Sequence, residues 1–141
     1  MPSEFRMTHR VEFADTDMAG MAHFSSYFRY MEVTEHAFIR SLGFSIDMGP
    51  RFNVGWPRVH VECDYGAPLR FEDEVEVHLR VREKREKAIT YDFTFRRVRP
   101  EPAVEVARGA ITTVCVARDE NGRMTAVPIP QEVSRMIEVA R

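Results

Sequence analysis

Cysteine is scarce. Only Cys63 and Cys115 occur in 141 residues, and their separation fits neither a CxxC pair nor a zinc-ligand set. A disulfide framework and a structural zinc site are therefore not expected, and two free, buried thiols in a reducing compartment are. No apolar run approaches the ~18 residues that a membrane span requires. Met1 to Arg10 is polar and lacks the apolar core of a secretory signal, so the expected location is the cytoplasm. An excess of one charge is also missing. The 20 Lys and Arg are set against 22 Asp and Glu, a net charge of −2, which gives no pull toward nucleic acid or an anionic membrane. Repeats, low-complexity tracts and linker-like segments are absent, and the length fits a single domain over 1–141.

What is present is strong periodicity. From about Phe24 to Leu42, apolar residues recur at three- and four-residue spacings (Phe24, Tyr27, Phe28, Met31, Phe38, Leu42). A narrower polar stripe carries Arg29, Glu32, His36 and Arg40, and Gly43 stands where a helix cap belongs. The aromatic content predicts a long helix that is mostly enclosed. Ser45 to Pro57 reads as irregular, broken by Gly49-Pro50 and Trp56-Pro57. Met7 to Phe13 is a weak strand and Val59 to Tyr65 a clearer one. Val75, Val77, Leu79 and Val81, and then Ile89, Tyr91, Phe93 and Phe95, alternate with polar residues, as in a half-buried antiparallel sheet. The charged run Glu83 to Lys87 predicts a hairpin tip. Val104 to Ala117 reads as one long strand, Asn121-Gly122 as a tight turn, and Gln131 onward as a brief helix. The class is α+β, one long helix on a curved antiparallel sheet of about five strands. One helix leaves an edge and a face of such a sheet uncovered, which favours pairing with a second copy.

The chemically suggestive segment runs from Val11 to Tyr27. Asp15 and Asp17 stand at a strand end, Gly20 allows a sharp turn, and the long helix follows. A helix start offers unpaired backbone N–H groups and the positive end of its dipole. A carboxylate facing such amides across a cleft suits acyl transfer, since the amides polarise a carbonyl and the carboxylate attacks or activates water. On this local pattern alone, turn and cap chemistry is the more ordinary account of Asp-x-Asp before a helix. Asp15 is expected to serve backbone hydrogen bonding. His9, His36, His60 and His78 show no metal spacing and read as scattered surface residues.

The run D-T-D-x-x-G-x-x-H-F-x-x-Y-F-x-x-x-E, from Asp15 to Glu32, resembles the signature of the 4-hydroxybenzoyl-CoA thioesterase family of hotdog proteins. The resemblance implies a hotdog fold and hydrolysis of an acyl-CoA to a free acid and coenzyme A. It makes Asp17 the catalytic nucleophile or general base, with the backbone amide of Phe24 contacting the thioester oxygen and Gly20 letting the turn pass close to the acyl group. Tyr27 lines the pocket or packs, and Glu32 matches a recurrent helix acid. It implies homodimers or tetramers with the site at the dimer interface, no metal, and no cofactor beyond the coenzyme A of the substrate. One departure concerns His23. Relatives of the bacterial short-chain type carry a histidine seven residues after the catalytic acid, whereas His23 comes six after Asp17. His23 either shapes the pocket or assists proton transfer, or else it is a cap or packing histidine. Lys84, Arg85 and Lys87 at the hairpin tip are solvated or meet the phosphates of coenzyme A, and Arg58 is a weaker candidate for substrate contact. The competing functions are a non-catalytic acyl-CoA-binding hotdog protein and a hotdog hydratase or dehydratase.

Overall fold

The computed structural model describes residues 2–141. Five strands form one antiparallel sheet: β1 (Glu4–Arg10), β2 (Arg58–Tyr65), β3 (Glu74–Lys84), β4 (Ala88–Arg99) and β5 (Val104–Val114), in the order β1-β3-β4-β5-β2. The long helix α1 (Ser26–Ser41) lies between β1 and β2 in the chain. Since those strands are the two edges, the chain crosses the sheet once, and the helix covers one face as it does so. This is the hotdog arrangement.

Alternation decides which face α1 covers. Val77 opposes Phe95, Leu79 opposes Phe93 and Val81 opposes Tyr91. All six are 1% exposed or less, while Glu76, His78, Arg80, Asp92 and Thr94 point to the other side. Burying side chains of this size contributes roughly 1.5–3 kcal/mol each, enough to fix the register against a one-residue slip. On β5 the residue opposite Phe93 is Gly109. A Cβ there would lie 2.7 Å from Met31 Sδ and 2.9 Å from the Glu62 carbonyl oxygen, so only glycine lets α1 settle this close to the sheet.

Several sequence-based boundaries move. The first strand ends at Arg10, and Phe13–Asp15 forms a short 3-10 turn instead of continuing it. Helix α1 begins at Ser26, so Phe24 precedes it. A helical turn, α2 (Gly49–Phe52), replaces part of the expected irregular stretch, because Pro50 falls in its first turn, where the missing N–H costs nothing. The long strand expected over 104–117 breaks at Cys115; Val116–Arg118 (β6) instead pairs with Met124–Ala126 (β7) across the Asn121-Gly122 turn. A final turn, α3 (Gln131–Ser134), closes the chain. Among the described residues no helix is long and apolar enough to cross a membrane. Cys63 and Cys115 are both free.

The two sheet edges differ. Beside β1, the C-terminal residues bond back, with Glu138 N–H donating to Pro2 and Ala140 N–H to Val81. The outer edge of β2 carries exposed apolar groups, Val59, Val61 and Tyr65.

Candidate active site

Past β1 the chain is tied to the loop before β3, where Val11 N–H donates to Asp73 O and Glu72 N–H to Val11 O. The turn at Phe13–Asp15 then brings Asp15 inside. Its Oδ2 accepts from Glu12 N–H and Tyr30 OH, both at 2.9 Å, and its Oδ1 pairs with the Arg29 guanidinium. Burial pushes this carboxyl's pKa up, but the Glu12, Tyr30 and Arg29 donors and the Arg29 charge outweigh burial and hold it below its ordinary value. The sequence-based expectation of backbone bonding thus describes one of its three side-chain contacts.

Asp17 faces the other way and is exposed. Its Oδ1 accepts from Ala19 N–H (2.8 Å) and Met21 N–H (3.3 Å), which fixes the rotamer. Among the described residues no donor reaches Oδ2. The loop closes because Gly20 takes φ +78° and its N–H donates to Asp17 O at 3.0 Å. Nothing lies within 4 Å of where a Gly20 Cβ would be, so the glycine answers to the backbone angle and not to crowding.

The chain next runs to α1 with its amides accounted for one by one. Ala22 N–H donates to Leu69 O, His23 N–H to Asp15 O and Ser26 N–H to His23 O. Between them, the Phe24 N–H has no acceptor among the described residues. Asp17, Phe24 and Tyr27 meet at one cavity of about 350 Å³, whose far wall is Tyr65, Ala67 and Pro68. That volume is within the ordinary range for a small-molecule site, and the lining is mainly apolar. Tyr27 is 3% exposed and packs edge-on against Tyr65 and Phe95. Burial pushes its phenol pKa up, so it stays a neutral donor.

Tyr65 escaped the sequence reading. Its OH donates to Phe24 O at 2.8 Å, which ties the segment before α1 to edge strand β2. The signal was its place at the end of the Val59–Tyr65 strand, but which helix residue it would meet depends on how α1 crosses the sheet.

The other expected site residues lie elsewhere. His23 Nδ1 accepts from Ser25 N–H (3.2 Å) and lies 2.7 Å from Ser25 Oγ, and its ring packs on Phe24 at 4.3 Å; it acts as a cap before the helix and does not line the cavity. Glu32 is exposed on α1. Its neighbour Glu35 is the enclosed acid, 0% exposed. Glu35 takes up Arg58, whose guanidinium also donates to Thr113 Oγ1 at 3.0 Å. Arg58 is therefore occupied inside the fold and not turned toward the cavity. Burial pushes the Glu35 carboxyl's pKa up, and the Arg58 charge pulls it part of the way back. Lys84 donates to Ser134 O (2.9 Å) and Ile137 O (2.8 Å), closing the end of α3. Arg85 pairs with Glu83, and Lys87 is exposed. In one chain this hairpin tip is at the Glu4 end of β3, whereas the cavity adjoins Tyr65, at the end that pairs with Ala107. His9 is half-buried and not on the surface, with Nε2 2.9 Å from Thr34 Oγ1; burial holds its pKa down at about 4. Among the described residues no three His, Cys, Asp or Glu side chains gather as metal ligands. A second hollow, of about 320 Å³ on the outer sheet face, sets Arg80, Arg82 and Arg108 against Glu62, Asp64 and Asp92. Arg82 is already paired with Asp92 there.

The chain is similar to known proteins over nearly its whole length. A family model described as the thioesterase-like superfamily matches residues 11–137. A protein of Aquifex aeolicus (strain VF5), provisionally named an esterase, is 33% identical over 138 residues, which is 98% of this chain and 99% of that one. The 4-hydroxybenzoyl-CoA thioesterase of Pseudomonas sp. (strain CBS-3) is 22% identical over 135 residues, 94% and 96% of the two chains. Its solved structure superposes with a TM-score of 0.86 over 96% of this chain and 99% of that one, at 19% identity. A 1,4-dihydroxy-2-naphthoyl-CoA thioesterase from Synechocystis gives a TM-score of 0.85 at 24% identity, covering 94% of each chain.

Proposed function

The chain belongs to the thioesterase-like superfamily, and on that premise we propose that it is an acyl-CoA thioesterase working through Asp17 and the backbone amide of Phe24. The observation that carries this reading is their meeting. Asp17, with one carboxylate oxygen that takes no donor among the described residues, and Phe24, whose N–H has no acceptor among them, line one largely apolar cavity. A thioester carbonyl seated there would accept the Phe24 N–H, and the positive end of α1 would favour its developing oxyanion. Asp17 then attacks the carbonyl carbon to give an anhydride that water cleaves, or takes a proton from the water that attacks. Both routes consume one water and release a free acid and the coenzyme A thiol. Tyr27, Ala67 and Pro68 would bound the acyl group, which suits an aromatic or short aliphatic chain.

The bare β2 edge supports a homodimer. Two copies pairing there would extend the sheet across both chains and cover Val59, Val61 and Tyr65. Tyr65 bonds Phe24, so that interface would run beside the cavity. Coenzyme A phosphates then have a route to basic side chains of the partner's hairpin tip, the one way Arg85 and Lys87 could reach the substrate from the far end of the sheet.

Free-thiol release from acetyl-, hexanoyl-, benzoyl- and 4-hydroxybenzoyl-CoA tests the reaction. Thiol release from at least one supports it. Binding without release indicates a ligand-binding protein, and loss of an enoyl-CoA double bond without free thiol indicates a hydratase.

A further inference from the structure

Asp15 stands two residues before Asp17 yet turns away from the cavity. The residue is 4% exposed and its side chain holds Glu12 N–H, Tyr30 OH and Arg29, so it grips the first turns of α1. Its carbonyl oxygen takes two further donors, His23 N–H at 2.7 Å and Ser26 Oγ at 2.8 Å. Those residues bracket Phe24. Asp15 is thus one covalent step, Thr16, from the candidate carboxylate, and it is hydrogen-bonded on both sides of the candidate amide. Tyr30 is braced from behind, since Thr34 Oγ1 donates to Tyr30 O at 2.7 Å and the His9 ring packs 5.2 Å from the Tyr30 ring. Of the other bonds at the Asp17 turn, Asp17 N–H to Met21 O and Gly20 N–H to Asp17 O are internal to it, and Ala22 N–H to Leu69 O ties its end to the segment before β3 and not to α1.

We propose that Asp15 is a positioning residue that holds the Asp17 carboxylate in register with the Phe24 amide by clamping their shared loop to the first turns of α1. The proposal rests on the assignment of Asp17 and Phe24 above. A buried anion taking three donors is a stronger anchor than a neutral side chain of the same shape, and a reacting geometry displaced by about 1 Å can lose on the order of 100-fold in rate. The role is in turnover more than in substrate capture, because the far wall of the cavity, Tyr65, Ala67 and Pro68, makes no bond to Asp15.

The test compares Asp15→Asn and Tyr30→Phe with Val133→Ala, a buried core change in α3, in the full chain. Kinetics use whichever of acetyl-, hexanoyl- or benzoyl-CoA the wild type turns over fastest, and melting temperatures are measured alongside. Asp15→Asn should lower kcat on the order of 100-fold with KM within about threefold. Tyr30→Phe, which removes one donor, should lower kcat about tenfold. Val133→Ala should lose as much melting temperature as Tyr30→Phe or more while keeping kcat. Equal kcat in Tyr30→Phe and Val133→Ala, or a loss confined to KM, overturns the proposal. If Asp15→Asn does not fold, Tyr30→Phe decides by itself. Asp17→Asn run in parallel separates the two claims. If it turns over normally, the assignment of the carboxylate is wrong; if it is inactive while Asp15→Asn and Tyr30→Phe are both active, only the positioning role falls.

Discussion

Replacing Arg58 by Met should cost stability and leave substrate affinity alone. Glu35 is completely enclosed and its ion partner is Arg58, whose side chain keeps 24% of its exposure. Removing one member of a buried pair typically costs 3–5 kcal/mol, because the other charge stays behind without its solvent. The partial exposure of Arg58 points to the low end, about 3 kcal/mol. For a chain of this length that is a fall of roughly 10 °C in melting temperature. The loss should also depend on pH. Burial already raises the Glu35 pKa above its ordinary 4.5, and without Arg58 it rises further. A carboxyl raised in the folded state binds protons more tightly there than in the unfolded chain. The stability linked to that proton is fully present below the unfolded pKa and is lost as pH rises through the folded one. Arg58→Met should therefore lie closest to wild type near pH 5 and furthest from it above pH 8. Adding Glu35→Gln should remove most of that slope. Thermal melts by circular dichroism at pH 5.5 and 8, with steady-state kinetics at each, make the test. A melting temperature within 2 °C of wild type at pH 8 (about 0.6 kcal/mol) together with a raised KM would refute the reasoning and return Arg58 to the substrate.

Two further changes probe the walls of the site and the seat of its helix. Tyr65→Phe deletes the hydroxyl that holds Phe24 O; a bond worth about 1 kcal/mol predicts a three- to tenfold fall in kcat with little change in melting temperature, and an unchanged kcat would remove Tyr65 from the account. Gly109→Ala places a methyl 2.7 Å from Met31 Sδ and 2.9 Å from the Glu62 carbonyl, so urea unfolding should show a loss of about 1–3 kcal/mol, and wild-type stability would mean that α1 can lift off the sheet at no cost.

The sheet was the most legible part of the sequence because a period of two survives every tertiary detail. Val75 to Val81 and Ile89 to Phe95 announce their buried face directly. Helix α1 was equally visible, though its start was not. Phe24 continues the apolar spacing while its backbone lies ahead of the helix, where the His23 ring takes the Ser25 N–H. Asp17 could be picked out from the motif it resembles, and its cavity needed coordinates. Tyr65 and Phe24 are 41 residues apart, and no local pattern predicts that meeting. Charge was the least legible. Glu32 and Arg58 both look available in the sequence, but burial is what separates an acid from its neighbour three residues on, and Glu35 is the one that turns inward and takes Arg58 with it. Lys84 likewise reads as a solvated tip residue until α3 presents two carbonyls to it.

The most direct measurement is the turnover of Asp17→Asn. The substitution keeps the volume of the side chain and an oxygen for the Ala19 and Met21 amides, so the loop and the melting temperature should be preserved. Removing the charged oxygen should lower the rate of thiol release by about 100-fold or more, with acyl-CoA still bound. A properly folded variant that hydrolyses acyl-CoA at close to the wild-type rate would contradict the account at its centre.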